Sequence, residues 1–112
     1  MGSGDGLSVL VVEDDAGELA IYERDLTSRG FVVTPVNTRT GAIPNGRYGA
    51  ATIDGLKGAW KFVADGINVP RDHIVVLSGD DNILAEAVAE GLQAMHKAPP
   101  FYDADKLVEM LK

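Results

Sequence analysis

The sequence predicts an α/β fold in a single domain: a parallel sheet of five strands covered by helices on both faces. Three observations lead there. Apolar, β-branched runs such as LSVLVV at 7–12 and HIVVLS at 73–78 have strand length and are continuous, as in strands buried on both sides. Segments with apolar residues at helical spacing follow them. The two kinds alternate along the chain, and right-handed βαβ crossovers turn that alternation into a parallel sheet with few possible windings. The 112 residues are enough for one core and leave no room for a second domain.

Taken in order, residues 1–6 (MGSGDG) lack the charged and apolar regions of a signal peptide and read as a flexible leader or expression remnant; the domain is expected over 7–112. The first strand, Leu7 to Val12, stops at Glu13-Asp14-Asp15. A helix from Ala16 to Arg29 carries Leu19, Tyr22 and Leu26 on one face, with Asp15 as its cap and Gly30 as its end. Phe31 to Val36 forms a second strand, placed at an edge by Pro35, which has no N–H for an interior ladder. Residues 37–47 are rich in Gly, Pro, Asn and Thr and hold at most a turn or so of helix, so the second helix is degenerate.

The third strand, Ala50 to Asp54, ends in a carboxylate followed by Gly55. After Gly58 a helix with Trp60, Phe62 and Val63 runs to near Gly66, and its aromatics are expected in the core. His73 to Ser78 is the fourth strand. The next helix, Asp81 to about Gly91, is capped by Asp80 or Asp81 and turns Ile83, Leu84, Ala87 and Val88 mostly toward the core, with any surplus apolar surface left for a partner. A fifth strand covers Gln93 to Lys97, Pro99-Pro100 breaks the chain, and a last helix from about Asp103 to Leu111 has Ala104, Leu107, Val108 and Leu111 at core spacing.

Composition narrows the function. A net charge of -7 argues against nucleic acid or an anionic membrane as main partner, and no apolar run approaches the roughly 18 residues of a membrane span. With no cysteine, disulfides, thiolate metal sites and thiol nucleophiles are excluded, which fits a reducing compartment. A hard cation is the natural guest.

Ligand crevices of open α/β sheets lie beyond the carboxyl ends of the strands. There the first strand brings Glu13 and Asp14, the third Asp54, the fourth Ser78 and Gly79, and the fifth Lys97. Three carboxylates in one half-buried place repel one another unless a cation or a proton relieves them, and an all-oxygen set of this kind suits Mg²⁺. A carboxylate beside Mg²⁺ can act as nucleophile toward a phosphoryl group, with a lysine and a hydroxyl to hold the transferred oxygens. Taken singly, each residue has an ordinary explanation: acids cap helices, Asp-Gly makes turns, and a lysine near prolines is solvated. Their convergence on one sheet edge favours the site. His73 and His96 have no partner at metal-ligand spacing and are read as structural or exposed.

The stretches VLVVEDD at 9–15, ATIDG at 51–55, VVLSG at 75–79 and Lys97 followed closely by prolines resemble, in order and at the strand ends, the receiver domain of bacterial two-component response regulators. The resemblance covers the chain from Leu7 to Lys112. It implies a flavodoxin-like (βα)5 sheet of order 2-1-3-4-5, in agreement with the edge position of Pro35. It also implies that Asp54 is the phosphoacceptor, that Glu13, Asp14, Asp54 and the backbone carbonyl of Leu56 hold Mg²⁺, and that Ser78 and Lys97 are the switch hydroxyl and the pairing lysine. Its partners would be a histidine kinase or histidine phosphotransfer protein, and an output protein or second copy on the face from the fourth to the fifth helix of the family. This domain would contact neither nucleic acid nor membrane. Such a domain is a cytoplasmic signalling switch, an enzyme only in catalysing its own phosphorylation and dephosphorylation.

The chain departs from the pattern in four places. Besides the degenerate second helix, the loop after Asp54 is short, which bears on the Leu56 contact and brings Lys57 within reach of the acids. Ala94 stands where receivers commonly carry a switching aromatic. Lys97-Ala98-Pro99-Pro100 moves any cis proline bond to Ala98-Pro99. These departures favour an alternative, a pseudo-receiver working by protein contact without phosphorylation. A small nucleotide or phosphate binder is disfavoured because no glycine-rich loop follows the first strand.

Overall fold

The computed structural model describes residues 6–39, 41–55, 59–98 and 102–112. Its elements are β1 (Ser8–Glu13), α1 (Ala16–Ser28), β2 (Val32–Asn37), β3 (Ala50–Asp54), α2 (Trp60–Gly66), β4 (Ile74–Ser78), α3 (Asp81–Ala89), β5 (Gln93–His96) and α4 (Ala104–Leu111), with a short 3-10 turn at Arg71–His73 before β4. All strands are parallel, in the order β2-β1-β3-β4-β5. The first and third strands, which carry the acids, are therefore neighbours.

Strand alternation sorts the core into two layers. Val9 and Val11 of β1, with Val75 and Leu77 of β4, pack against Tyr22 and Leu26 of α1 and Leu107, Val108 and Leu111 of α4. Leu10 and Val12, with Ile53 and Val76, pack on the other face against Trp60 and Ala64 of α2 and Ala87 of α3. Continuous apolar runs were the right signature for these strands because both faces are covered.

Local chemistry sets the helix limits. The Asp15 carboxylate accepts from the N–H groups of Gly17 at 2.8 Å and Glu18 at 3.0 Å, and α1 ends as Gly30 adopts φ 93°. Asp80 accepts from Asn82 N at 2.8 Å to start α3, and Asp103 from Lys106 N at 3.0 Å to start α4. Pro35 lies in the edge strand as expected. The N–H groups of Val32 and Thr38 point to β1, so the alternate position of Pro35 faces the free edge, where a missing donor breaks no ladder bond.

Two expectations, for Phe62 and Val88, need correction, whereas the segment expected to hold at most a turn or so of helix does so: among the described residues between β2 and β3 the chain makes a turn and continues irregularly, held by an isolated parallel bridge from Arg47 to Asn68 and by Tyr48 N donating to Asn68 O at 3.3 Å. Gly41, Pro44, Asn45 and Gly46 leave too few helix-forming residues in a row. Phe62 is 85% exposed, because α2 turns Trp60 and Ala64, one helical turn apart, onto the sheet and places Phe62 on the far side. Val88 is 61% exposed, since α3 buries Ala87 and half-buries Ile83 and Leu84. Among the described residues no helix is long and apolar enough to cross a membrane.

Candidate functional site

Glu13 is the last residue of β1, Asp54 of β3 and Ser78 of β4, while Lys97 directly follows β5 and Asp14 follows β1. Parallel pairing ends these strands at one edge, so residues far apart in sequence meet there. The carboxylate oxygens of Glu13, Asp14 and Asp54 include three that all lie within 4.8 Å of one another. Ser78, Gly79 and Lys97 line the same concavity.

Lys97 is the hub of the site. It is 6% exposed; its backbone N–H donates to Ser78 O at 3.0 Å, extending the β4–β5 ladder by one bond and fixing where the side chain starts. Its ammonium donates to Asp54 Oδ1, to Glu13 Oε2 at 3.1 Å and to Glu18 Oε1 at 3.1 Å. Burial works against the charge of this lysine, but the hydrogen bond to Asp54 and the negative field around it win, and its proton is held more tightly than usual. The Tyr22 ring lies beneath, its centroid 5.9 Å from Nζ, and its hydroxyl approaches Glu18 Oε1 at 3.4 Å.

Glu18 and Tyr22 were missed in the sequence. Glu18 stands three residues after the Asp15 cap, the position from which a glutamate usually folds back onto the cap N–H. Here the Asp15 N–H instead approaches Glu13 Oε1 at 3.3 Å, and Asp14 N donates to the same oxygen at 3.1 Å, leaving Glu18 to bridge toward Lys97. The only sequence signal was helical spacing: Glu18 and Tyr22 are one turn apart on the helix that starts at the acidic edge.

Glu13 is 1% exposed, and burial pushes its carboxyl up to about 7; the nearby Asp54 charge adds to the rise and Lys97 opposes it. A raised carboxyl binds its proton more tightly folded than unfolded. Its contribution to stability is therefore fully present below pH 4.5 and lost as pH rises through about 7, amounting to about 3 kcal/mol. In EDTA, Glu13→Gln should flatten the stability curve between pH 5 and pH 8 relative to wild type. Parallel urea-unfolding curves for the two proteins across that range would contradict the assignment.

The residues fit a divalent cation. Among the described residues the Lys97 ammonium is shared by the carboxylates of Glu13, Glu18 and Asp54, while Asp14 is reached by the exposed Arg39 at 4.0 Å. The all-oxygen donor set of Glu13, Asp14 and Asp54 is one that could hold a metal ion. Leu56, Lys57 and the Ala98-Pro99 bond lie outside the described residues. Ser78 is buried, with its hydroxyl oxygen accepting from Asp80 N at 3.0 Å, and Ala94 is half-buried in β5 against the α2–α3 layer. His96 is exposed and His73 half-buried, and neither is among the described residues lining the acidic concavity.

Gly55 closes the floor of the site. Its N–H donates to Leu77 O at 2.9 Å, and a Cβ at this position would lie 3.0 Å from Ser78 Oγ and 3.2 Å from Ser78 Cβ. Gly55→Ala should cost about 1–3 kcal/mol through overpacking and displace the Ser78 hydroxyl. Chemical denaturation checks the first effect; an unchanged stability would show that β4 yields without strain.

No protein-family model matches the chain, and no curated protein matches it in sequence. Solved structures do match. Full-length FixJ from B. japonicum superposes with a TM-score of 0.63 at 22% identity, over 94% of this chain and 55% of that one. A response regulator from Colwellia psychrerythraea gives 0.58 at 14% identity, over 94% and 93%. The chain thus spans about half the length of FixJ. At these identities the likeness is one of fold, and the fold is the flavodoxin-like receiver with sheet order 2-1-3-4-5.

Proposed function

We propose that this receiver fold is the phosphoacceptor domain of a two-component or phosphorelay pathway, with Asp54 as the acceptor. The observation that carries the reading is the Lys97 ammonium bonded to both Asp54 and Glu13, at an edge where Asp14 completes the carboxylate cluster and Ser78 ends the adjoining strand. A carboxylate oxygen of Asp54 attacks the phosphorus of a phosphohistidine on a kinase or phosphotransfer protein. The P–N bond breaks, its electron pair stays on the imidazole nitrogen, and an aspartyl phosphate results. Mg²⁺, held by Glu13, Asp14 and Asp54 with the Leu56 carbonyl as a further ligand, would offset negative charge on the transferred oxygens. Lys97 follows the new charge and the Ser78 hydroxyl turns to donate to it.

Attack of water on the phosphorus of the acyl phosphate then releases inorganic phosphate and regenerates the carboxylate, a signalling cycle and not turnover of a metabolite. We place the domain in the cytoplasm, with no nucleic acid or membrane contact of its own. Its output surface, for a partner or a second copy, is assigned to the α3–α4 side, where Val88 is exposed. A second reading, the pseudo-receiver, draws support from the same lysine: bonded to Glu13, Glu18 and Asp54, it offsets part of the acidic charge without a metal. Incubation with Mg²⁺ and acetyl phosphate, read by intact mass, decides between them. Gain of one phosphoryl group supports the acceptor; no gain, together with no shift on adding beryllofluoride, supports the pseudo-receiver.

A further inference from the structure

We propose that the concavity between the 43–48 segment and α2 is a binding site for a small organic anion with a flat apolar body. It lies at the amino-terminal end of the sheet, where Gly49 N donates to Ser8 O at the start of β1, and so at the opposite edge from Glu13 and Asp54. It forms because the chain crosses this face without a helix. The 43–48 segment leaves a pocket of about 480 Å³ against α2, within the range of small-molecule sites.

The lining is mainly apolar, with Asn45 and Asn68 as its amide side chains and one charge. Ile43, Tyr48, Val63 and Ile67 are half-buried against the core beneath, and the exposed Phe62 ring stands at the rim. Although the chain carries 17 acidic residues, none of the described residues lining this pocket is acidic, and Arg47 is the single charged one among them. Among the described residues Arg47 makes no ion pair, whereas Arg24, Arg29, Arg39 and Arg71 all have a carboxylate partner. The Tyr48 hydroxyl donates to Pro44 O at 2.8 Å and holds the segment in place. An exposed aromatic ring, an apolar floor and an unpaired guanidinium select a ligand that stacks and carries a carboxylate or similar anion. A cation finds no counter-charge among the described lining residues.

The test is a ¹⁵N NMR titration of the full chain with 2-naphthoate, and with 2-naphthol as the ring-matched neutral control. Saturable shifts centred on Gly46, Gly66, Ile67 and Asn68 are expected. Arg47→Gln should weaken naphthoate binding about fivefold, the size of an exposed ion pair, and leave naphthol unchanged. Phe62→Ala should weaken both. The two side chains are exposed, so the variant spectra should otherwise overlay the wild type. The proposal is overturned by an absence of saturable shifts, by shifts centred on the Glu13–Asp54 edge, or by equal losses for both compounds in Arg47→Gln. It is also overturned if sedimentation shows self-association that Phe62→Ala abolishes, since a second copy would then cover the pocket. Asp54 takes no part in this test, so its result is independent of the phosphoacceptor reading.

Discussion

Asp54→Asn should bring phosphoryl incorporation from acetyl phosphate down to background while the domain stays folded. The amide keeps the size of the carboxylate but is not a nucleophile at neutral pH, so the acyl phosphate cannot form. Folding survives because Lys97 keeps Glu13 and Glu18 as partners, each at 3.1 Å. A second effect has a definite sign. The charge of Asp54 helps hold the Glu13 carboxyl up to about 7, so removing it should move Glu13 back toward the ordinary carboxylate range. Intact mass reads the first effect and ¹³C NMR of the Glu13 carboxyl reads the second. Incorporation that persists in Asp54→Asn would place the acceptor elsewhere, and a Glu13 titration that does not move would show that the two groups are not in electrical contact.

Lys97→Met should have the largest effect on stability. Methionine roughly conserves the length and apolar bulk of the lysine stem but leaves Glu13, Asp54 and Glu18 without their shared cation. Removing one partner of a buried charge cluster costs about 3 kcal/mol or more. The loss should be greatest near pH 8 in EDTA, where Glu13 is ionised, and smaller near pH 5, where it takes up a proton. Added Mg²⁺ should restore part of it by supplying the missing positive charge. Loss of a preorganised donor to the transferred oxygens should also slow phosphorylation about 100-fold. Urea unfolding at the two pH values, with and without Mg²⁺, separates these effects. A variant as stable as wild type at pH 8 would mean that Lys97 does not neutralise the cluster in solution.

Most of the sheet was legible because its strands are covered on both faces and so read as unbroken apolar runs, and because Asp15, and Asp80 of the pair Asp80 and Asp81, cap helices by contacts within three residues. Pro35 was equally informative, since its missing donor admits only a few places in a ladder. Which face a short helix buries was not legible. Trp60, Phe62 and Val63 are all apolar, and only the sheet beneath α2 selects Trp60 and Ala64 over Phe62. The same holds for Ala87 over Val88 in α3.

The sequence by itself determined the order of strands and helices, the helix caps, and which carboxylates, hydroxyl and lysine stand at strand ends, because these follow from periodicity and local hydrogen bonding. Tertiary structure alone decided that Lys97 is shared among Glu13, Asp54 and Glu18, that Glu13 is buried deeply enough to hold a proton near neutrality, and that a pocket opens where a helix is absent. Glu18 and Lys97 are 79 residues apart, and no local pattern encodes such a contact. It arises only when parallel pairing ends β1, β3, β4 and β5 at one edge, and the resulting burial makes each charge depend on the others.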